Sequence, residues 1–290
     1  MSSDATVRVE GRVLKLTNLD KVLYPEFGFT KGEVIDYYTR IAPVLLPHLK
    51  DRPVTLKRFP NGVDGKWFFE KNAPEHRPDW VRTMRLESPG STKGNETVNY
   101  VMVDELATVV WLANLAALEL HVPQWTVGPR GGKRDPDLLV FDLDPGAPAT
   151  IVECCRVAER VREVLDDDGV DSWVKTSGNK GMQVYAYAPA KDTSEYAKAV
   201  AQRLAQEHPD LVVAAMAKAQ RTGKVFIDWS QNNPAKTTVA PYSLRARERP
   251  AVSTPLTWDE VEDCEVVADL VFTADEVLER VDSAGDLFGS

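Results

Sequence analysis

Two carboxylates separated by one residue, Asp142 and Asp144, interrupt an apolar run, Leu138-Leu139-Val140-Phe141-Asp142-Leu143-Asp144, that stops at Pro145-Gly146. The run has the composition of a core strand, and alternation along a pleat puts both carboxylates on one face. Anions that close repel, and hard oxygen donors at this spacing suit Mg²⁺ or Mn²⁺. A third carboxylate, Asp228, ends another apolar run, Val225-Phe226-Ile227-Asp228-Trp229. Converging strands would make the three a two-metal site. The same residues also read as strand-end caps of turns, a natural use for Asp144 before Pro145-Gly146.

Between these runs lies Lys175-Thr176-Ser177-Gly178-Asn179-Lys180-Gly181-Met182-Gln183. Its glycines let backbone N–H groups approach an anion, and its lysines add point charge, so a phosphate could sit here. The order of residues is not that of a P-loop, and an ordinary hairpin turn fits it as well.

The elements that must position these groups alternate between strand and helix, which predicts an α/β or α+β fold around a mixed sheet. A helix is expected over residues 31 to about 46, opened by a capping box of Thr30 and Glu33, and strands over 53–60 and 66–70 around a turn at 62–65. An almost wholly apolar helix is expected over 105–118. After the 138–144 strand come a helix capped by Thr150 and Glu153 and ending at Gly169, strands over 172–176 and 182–188, a helix headed by Asp192 and Glu195, and a strand over 224–229. The tail from about residue 251 is weakly periodic and reads as a peripheral appendage.

Of the 290 residues, 43% are hydrophobic and 27% charged, which excludes a disordered, collagen-like or coiled-coil chain. The longest uncharged apolar stretch, 106–118, is too short to span a bilayer, and Asp4, Arg8 and Glu10 are not the start of a signal peptide. Cys154, Cys155 and Cys264 have no metal-site or disulfide spacing and read as small buried side chains of a cytoplasmic protein. The net charge of −9 argues at first against nucleic acid, but Trp258 to Ser290 holds eleven acidic residues against one basic residue, Arg280. The body is therefore balanced, with basic clusters at Arg52, Lys57 and Arg58, at Arg130, Lys133 and Arg134, and at Lys236, Arg245, Arg247 and Arg249.

Taken in order, Asp142-Leu143-Asp144-Pro145, Thr176-Ser177-Gly178-Asn179-Lys180-Gly181 and Ile227-Asp228-Trp229-Ser230-Gln231-Asn232 resemble the three catalytic motifs of the archaeo-eukaryotic primase superfamily. Within it, the chain looks like the polymerase domain of bacterial ligase D and stand-alone end-joining relatives. Leu19-Asp20-Lys21, Thr30-Lys31-Gly32, the 52–60 run, Phe68-Phe69-Glu70-Lys71, Leu118-Glu119-Leu120-His121 and the 242–247 run extend the resemblance over residues 10 to 250.

The resemblance implies a primase-polymerase catalytic fold, α+β with mixed or antiparallel central sheets flanked by helices. It implies a single domain whose N-terminal part reaches about residue 135, with the catalytic motifs over 136–250. The activity implied is a monomeric template-directed nucleotidyltransferase that fills gaps and extends ends in non-homologous end joining, with ribonucleotides favoured as in relatives. Asp142, Asp144 and Asp228 would hold two Mn²⁺ or Mg²⁺ ions. Ser177 and Lys180 match the triphosphate-binding turn, and Lys57, His121 and Arg245 match positions that contact the incoming nucleotide. Gln231 matches a position beside the third Asp. Phe68 and Phe69 are neighbours, so on a strand one ring should enter the core and leave the other to stack on a base. Lys21 and Lys31 match a pocket for a 5′-phosphate at a gap or break.

One position departs from the pattern: many relatives carry His where this chain has Gln183, which donates a hydrogen bond to a phosphate oxygen but never carries charge. His48, His76 and His208 have no motif around them and read as surface or helix-end residues. DNA with a 5′-phosphate and nucleoside triphosphates are the expected partners. No ligase or nuclease segment is legible, so a separate ligase and a Ku-type end-binding protein are expected beside them. Two other activities fit the same residues: a primase acting without a pre-existing 3′ end, and a non-catalytic DNA-end binder, against which the intact Asp142, Asp144 and Asp228 speak.

Overall fold

A computed structural model describes residues 3–87 and 97–289. Two large sheets carry the expected fold. In the first, the strands run in the order Thr238–Val239, Ala117–Val122, Pro53–Arg58, Thr97–Met102 and Thr83–Glu87, with Phe68–Glu70 also paired to Pro53–Arg58, and every pairing is antiparallel. In the second, the order is Val212–Val213, Val225–Asp228, Leu138–Pro145, Met182–Tyr187, Ser172–Thr176 and Pro255–Leu256. Only the first of its pairings is parallel.

Local signals set the helices. Thr30 and Thr150 each close a capping box, opening Lys31–Leu49 and Ile151–Asp167. The second of these helices turns Cys154, Cys155, Ala158, Val161 and Leu165 onto Leu139, Phe141 and Leu143 in one of two large apolar cores. The other core lies around Lys31–Leu49 and the first sheet, and it reaches across to Val140, Tyr185 and Leu244. Among the described residues, no helix is long and apolar enough to cross a membrane, and the three cysteines are buried and free.

Two expectations need correction. The helix over 105–118 ends early: it spans Leu106–Asn114, Ala116 adopts φ +55, and the chain returns as strand Ala117–Val122. Asn114 holds the turn by accepting from Thr17 N at 3.1 Å and donating to Lys15 O at 3.1 Å. Leu and Ala favour helix locally, but pairing with Pro53–Arg58 overrides propensity.

The acidic tail is not peripheral. Pro255–Leu256 joins the second sheet. Ala274, Val277, Leu278 and Phe288 enter the first core, whereas Val261, Cys264 and Leu270 enter the second. His48, at the end of its helix, stands 2.8 Å from Asp286 and stacks edge-on against Phe288. Exposed His76 and helix-ending His208 lie as expected.

Candidate active site

Register across the second sheet aligns four side chains. Lys175 faces Gln183, Gln183 faces Asp142, and Asp142 faces Asp228, each on the neighbouring antiparallel strand. Residues opposite one another share a face, so the row runs from a buried lysine to two carboxylates, with Asp144 two residues along from Asp142 on the same side. The other face of the strand, Leu139, Phe141 and Leu143, is fully buried.

Burial first, and then the charge of Asp144, push the Asp142 carboxyl up to about 7, against the hydrogen bond from Gln183. Asp144 is also raised, by burial and by Asp228, with Arg221 opposing. Mutual repulsion of carboxylates in a half-buried place is relieved by a cation, and a set made only of oxygen donors is the chemistry that Mg²⁺ and Mn²⁺ select. The residues therefore fit the ions, although among the described residues no three acidic, His or Cys side chains close a ready shell. Asp228 shows why. Its Oδ1 accepts from Ser230 N at 3.1 Å and from the Ser230 hydroxyl, and its Oδ2 accepts from Gln231 Nε2 at 3.0 Å with Lys236 Nζ at 3.8 Å. Oδ2 keeps acceptor capacity for a further partner.

Gln183 is buried, and its amide is engaged on both sides: Nε2 donates to Asp142 Oδ1 at 2.8 Å and Oε1 accepts from Lys175 Nζ at 2.6 Å. The structure thus turns this side chain to a carboxylate, where a phosphate oxygen was expected.

The turn between the strands is wedged in place by its glycines. A Cβ on Gly181 would stand 1.9 Å from Leu143 O, and one on Gly178, at φ +66, would stand 2.5 Å from Arg245 Cγ and 2.7 Å from Val252 O. Ser177 Oγ accepts from Asn179 N at 3.2 Å and Gly181 N at 3.3 Å, while Lys180 is exposed at the tip. A cavity of about 670 Å³ lies behind this turn, lined by Pro145, Thr150, Arg247 and Phe272. It does not reach Asp142, Asp228, Lys57 or His121.

The first sheet supplies a second group. Phe69 faces Lys57 and Lys57 faces Glu119 across three strands, with His121 two residues beyond Glu119 on the same side. Glu119, left out of the expected site, is its centre: it stands 3.4 Å from Lys57 Nζ, 2.9 Å from His121 Nε2 and 3.7 Å from Arg245 Nε. Burial would raise this carboxyl, but His121, Arg245 and Lys57 hold it down at about 2. Burial pushes His121 below its ordinary value, with Glu119 opposing. On the same face Thr55 Oγ1 is buried without a hydrogen-bond partner, as is Arg245 Nε. Such orphans fit a polar ligand.

Phe68 and Phe69 both stay out of the core, 43% and 52% exposed, where one buried ring was expected. The strand they occupy is an added ribbon paired to Pro53–Arg58 off the main path of the sheet. Phe69 lies edge-on to His121 at 5.7 Å and to Trp67 at 5.6 Å, and Lys57 Nζ sits 4.4 Å over the Trp67 ring. Phe68, on the opposite face, lies under Arg58 at 5.3 Å.

Arg58 also lines a hollow of about 190 Å³ with Asn18, Lys21, Lys31 and Asn114. Lys31 is buried, donates to Thr17 O at 2.6 Å, and is lowered to about 8 by burial and by Lys21. Lys21 Nζ donates to Pro60 O and to Asn61 Oδ1. Two ammonium groups pressed together around a small hollow suit an anion.

The family described as LigD, primase-polymerase domain, matches residues 30–288. The chain is 46% identical over 279 residues to the multifunctional non-homologous end joining protein LigD of Mycolicibacterium smegmatis and 32% identical over 277 residues to the bifunctional LigD of Bacillus subtilis. These matches cover 94% of this chain but only 35% and 43% of those proteins, so the chain spans well under half of their length. The solved polymerase domain from Mycobacterium tuberculosis Ligase D in complex with DNA superposes with a TM-score of 0.88 at 42% identity, over 94% of this chain and 96% of that one. A fold shared along nearly the whole length, with the motif residues gathered in two groups, leads to one assignment: the chain belongs to the LigD primase-polymerase family, a family of nucleotidyltransferase domains.

Proposed function

We propose that this domain is a template-directed polymerase that fills gaps and extends broken ends of DNA in non-homologous end joining. The observation that carries the reading is the row in which Asp142 faces Asp228 with Asp144 beside it, next to a glycine turn wedged against Leu143 O and Arg245. Asp142, Asp144 and Asp228 would hold two divalent ions, Mn²⁺ or Mg²⁺, which when bound supply Lewis-acid activation of a primer 3′-hydroxyl and charge neutralisation on the triphosphate.

The protein's own groups account for positioning. Ser177 shapes the turn, Lys180 at its tip meets the triphosphate, and Arg245 and Lys57 add charge where phosphate oxygens gain it. Glu119 holds Lys57, His121 and Arg245 in one array. Gln231 steadies Asp228, and Phe69 offers a stacking face beside that array. Lys21 and Lys31 receive the 5′-phosphate on the downstream side of a gap. DNA as partner is supported by the relative solved in complex with DNA, and preference for ribonucleotides by family resemblance. A single catalytic domain acting in the cytoplasm beside a ligase and a Ku-type protein completes the reading.

The test is extension of a 5′-phosphorylated gapped duplex with ribo- and deoxynucleotides, each with Mg²⁺ or Mn²⁺. Template-directed addition that needs the divalent ion supports the reading; binding of the duplex with no incorporation under any of these conditions overturns it.

A further inference from the structure

Lys175 has no part in the chemistry above, yet it lies fully buried beside it. The side chain is 0% exposed, and an ammonium in such a place is expensive unless charge and hydrogen bonds compensate. Its neighbours at hydrogen-bond distance are neutral: Gln183 Oε1 at 2.6 Å and Ser253 Oγ at 2.6 Å. Ser253 in turn donates to Thr176 O at 2.9 Å, so its oxygen accepts from Lys175 Nζ. The nearest anion in the row is Asp142, one residue further on.

These bonds are directional. Burial and Arg245 push Lys175 well below its ordinary value, with Asp142 opposing, but amine or ammonium its Nζ has the N–H groups to donate to both Gln183 Oε1 and Ser253 Oγ. It thus meets the oxygen end of the Gln183 amide, which leaves the nitrogen end facing Asp142 Oδ1 at 2.8 Å. Tyr185 OH, 3.4 Å from Gln183 Oε1, reinforces the same orientation. The reverse orientation would set an amide oxygen against a carboxylate. Among the described residues no hydrogen bond reaches Asp142 Oδ2, so the relay pins one oxygen of the carboxylate and leaves its other oxygen for a ligand.

We propose that Lys175 is a positioning residue that, through Gln183, sets the orientation of Asp142 for divalent-cation binding. The proposal deepens the polymerase reading and rests on it. The row Lys175, Gln183, Asp142 works as a relay in which the outer N–H donor selects the amide orientation and the amide selects the carboxylate rotamer. Groups that orient a metal ligand from behind are worth about 10- to 100-fold in metal affinity.

The experiment is a Mn²⁺ titration of the full chain, followed by the electron paramagnetic resonance signal of free Mn²⁺, on wild type, Lys175→Met, Gln183→Met and the double variant. Thermal melts establish that each is folded, and kcat and nucleotide KM are measured alongside. Each single variant should weaken Mn²⁺ binding by about tenfold or more, and the double variant should be no weaker than Gln183→Met, because the lysine acts only through the amide. The loss should appear in kcat, with nucleotide KM little changed at saturating Mn²⁺. Gln183→Met, which fills the space without a donor, decides alone if Lys175→Met does not fold. Wild-type Mn²⁺ affinity in Gln183→Met, or a Lys175→Met effect that persists undiminished in the Gln183→Met background, overturns the relay while leaving the polymerase reading intact. Absence of both Mn²⁺ uptake and extension in the wild type overturns the reading and the relay together.

Discussion

His121 Nε2 lies 2.9 Å from Glu119 Oε2, and the same buried carboxylate reaches Lys57 at 3.4 Å through its other oxygen. Three basic groups from three separate segments of the chain are thereby held by one anion that is itself 1% exposed. Removing that anion leaves like charges facing one another, which is the expensive half of breaking a buried ion pair.

Glu119→Gln should therefore cost stability at neutral pH, on the order of 3 kcal/mol from the displacement of its titration. Because the folded carboxyl is held at about 2, below its ordinary value, its contribution is complete above the ordinary carboxylate range and is lost as pH falls toward 2. Chemical denaturation across that acid window should show a shallower slope in the variant, and nucleotide KM should rise as Lys57, His121 and Arg245 lose alignment. Equal slopes in the two proteins would contradict the assignment.

Asp142→Asn should abolish extension, retain duplex binding and, without divalent cations, raise the melting temperature at pH 8. The wild-type carboxyl is raised to about 7, so its anion is disfavoured in the folded protein and stability falls as pH climbs from its ordinary value through 7. An amide avoids that penalty while still pairing with its neighbours. Differential scanning calorimetry in chelator checks the stability, and a primer-extension gel checks the activity. Persistent extension by both Asp142→Asn and Asp144→Asn would remove the carboxylates from the mechanism.

Cation binding should release protons at pH 6 and almost none at pH 8, because Asp142 must give up a proton that it largely holds below about 7. Mn²⁺ affinity should accordingly rise with pH across this interval. Calorimetric titration in two buffers of different ionisation enthalpy measures the protons released; equal apparent heats at pH 6 would refute the coupling.

Phe69→Ala should raise nucleotide KM with little change in kcat, since stacking on an aromatic face is worth roughly 1–3 kcal/mol per base. Phe68→Ala, altering the opposite face beside Arg58 and the Lys21 and Lys31 hollow, should act on DNA affinity instead. Steady-state kinetics and a gel-shift titration separate the two. Matching effects on nucleotide KM would show that both rings serve one subsite.

Chemistry was more legible in the sequence than packing. Asp142 and Asp144 announce themselves because a pleat of period two fixes their shared face, and Asp228 because a carboxylate ending an apolar run needs a reason. Glu119 was legible only as part of a motif: one acid among 44 has no local feature to mark it, and its importance comes from Lys57, His121 and Arg245, far apart in the chain. Ala117–Val122 was hidden because its leucines and alanines favour helix, and only pairing with Pro53–Arg58 makes it a strand. Charge likewise marked the tail as solvated, while its apolar residues, too sparse for a clear period, enter both cores.

The residue order alone determined the alternation of strand and helix, the capped helices, the strand carrying the paired aspartates and the glycine turn, since each depends on side chains within a few positions of one another. Only the tertiary structure decided that Lys175, Gln183, Asp142 and Asp228 form one row, that Glu119 gathers Lys57, His121 and Arg245 and that both Phe68 and Phe69 stay exposed. Register and burial arise from contacts between distant segments, and no local pattern encodes which strand will lie beside which.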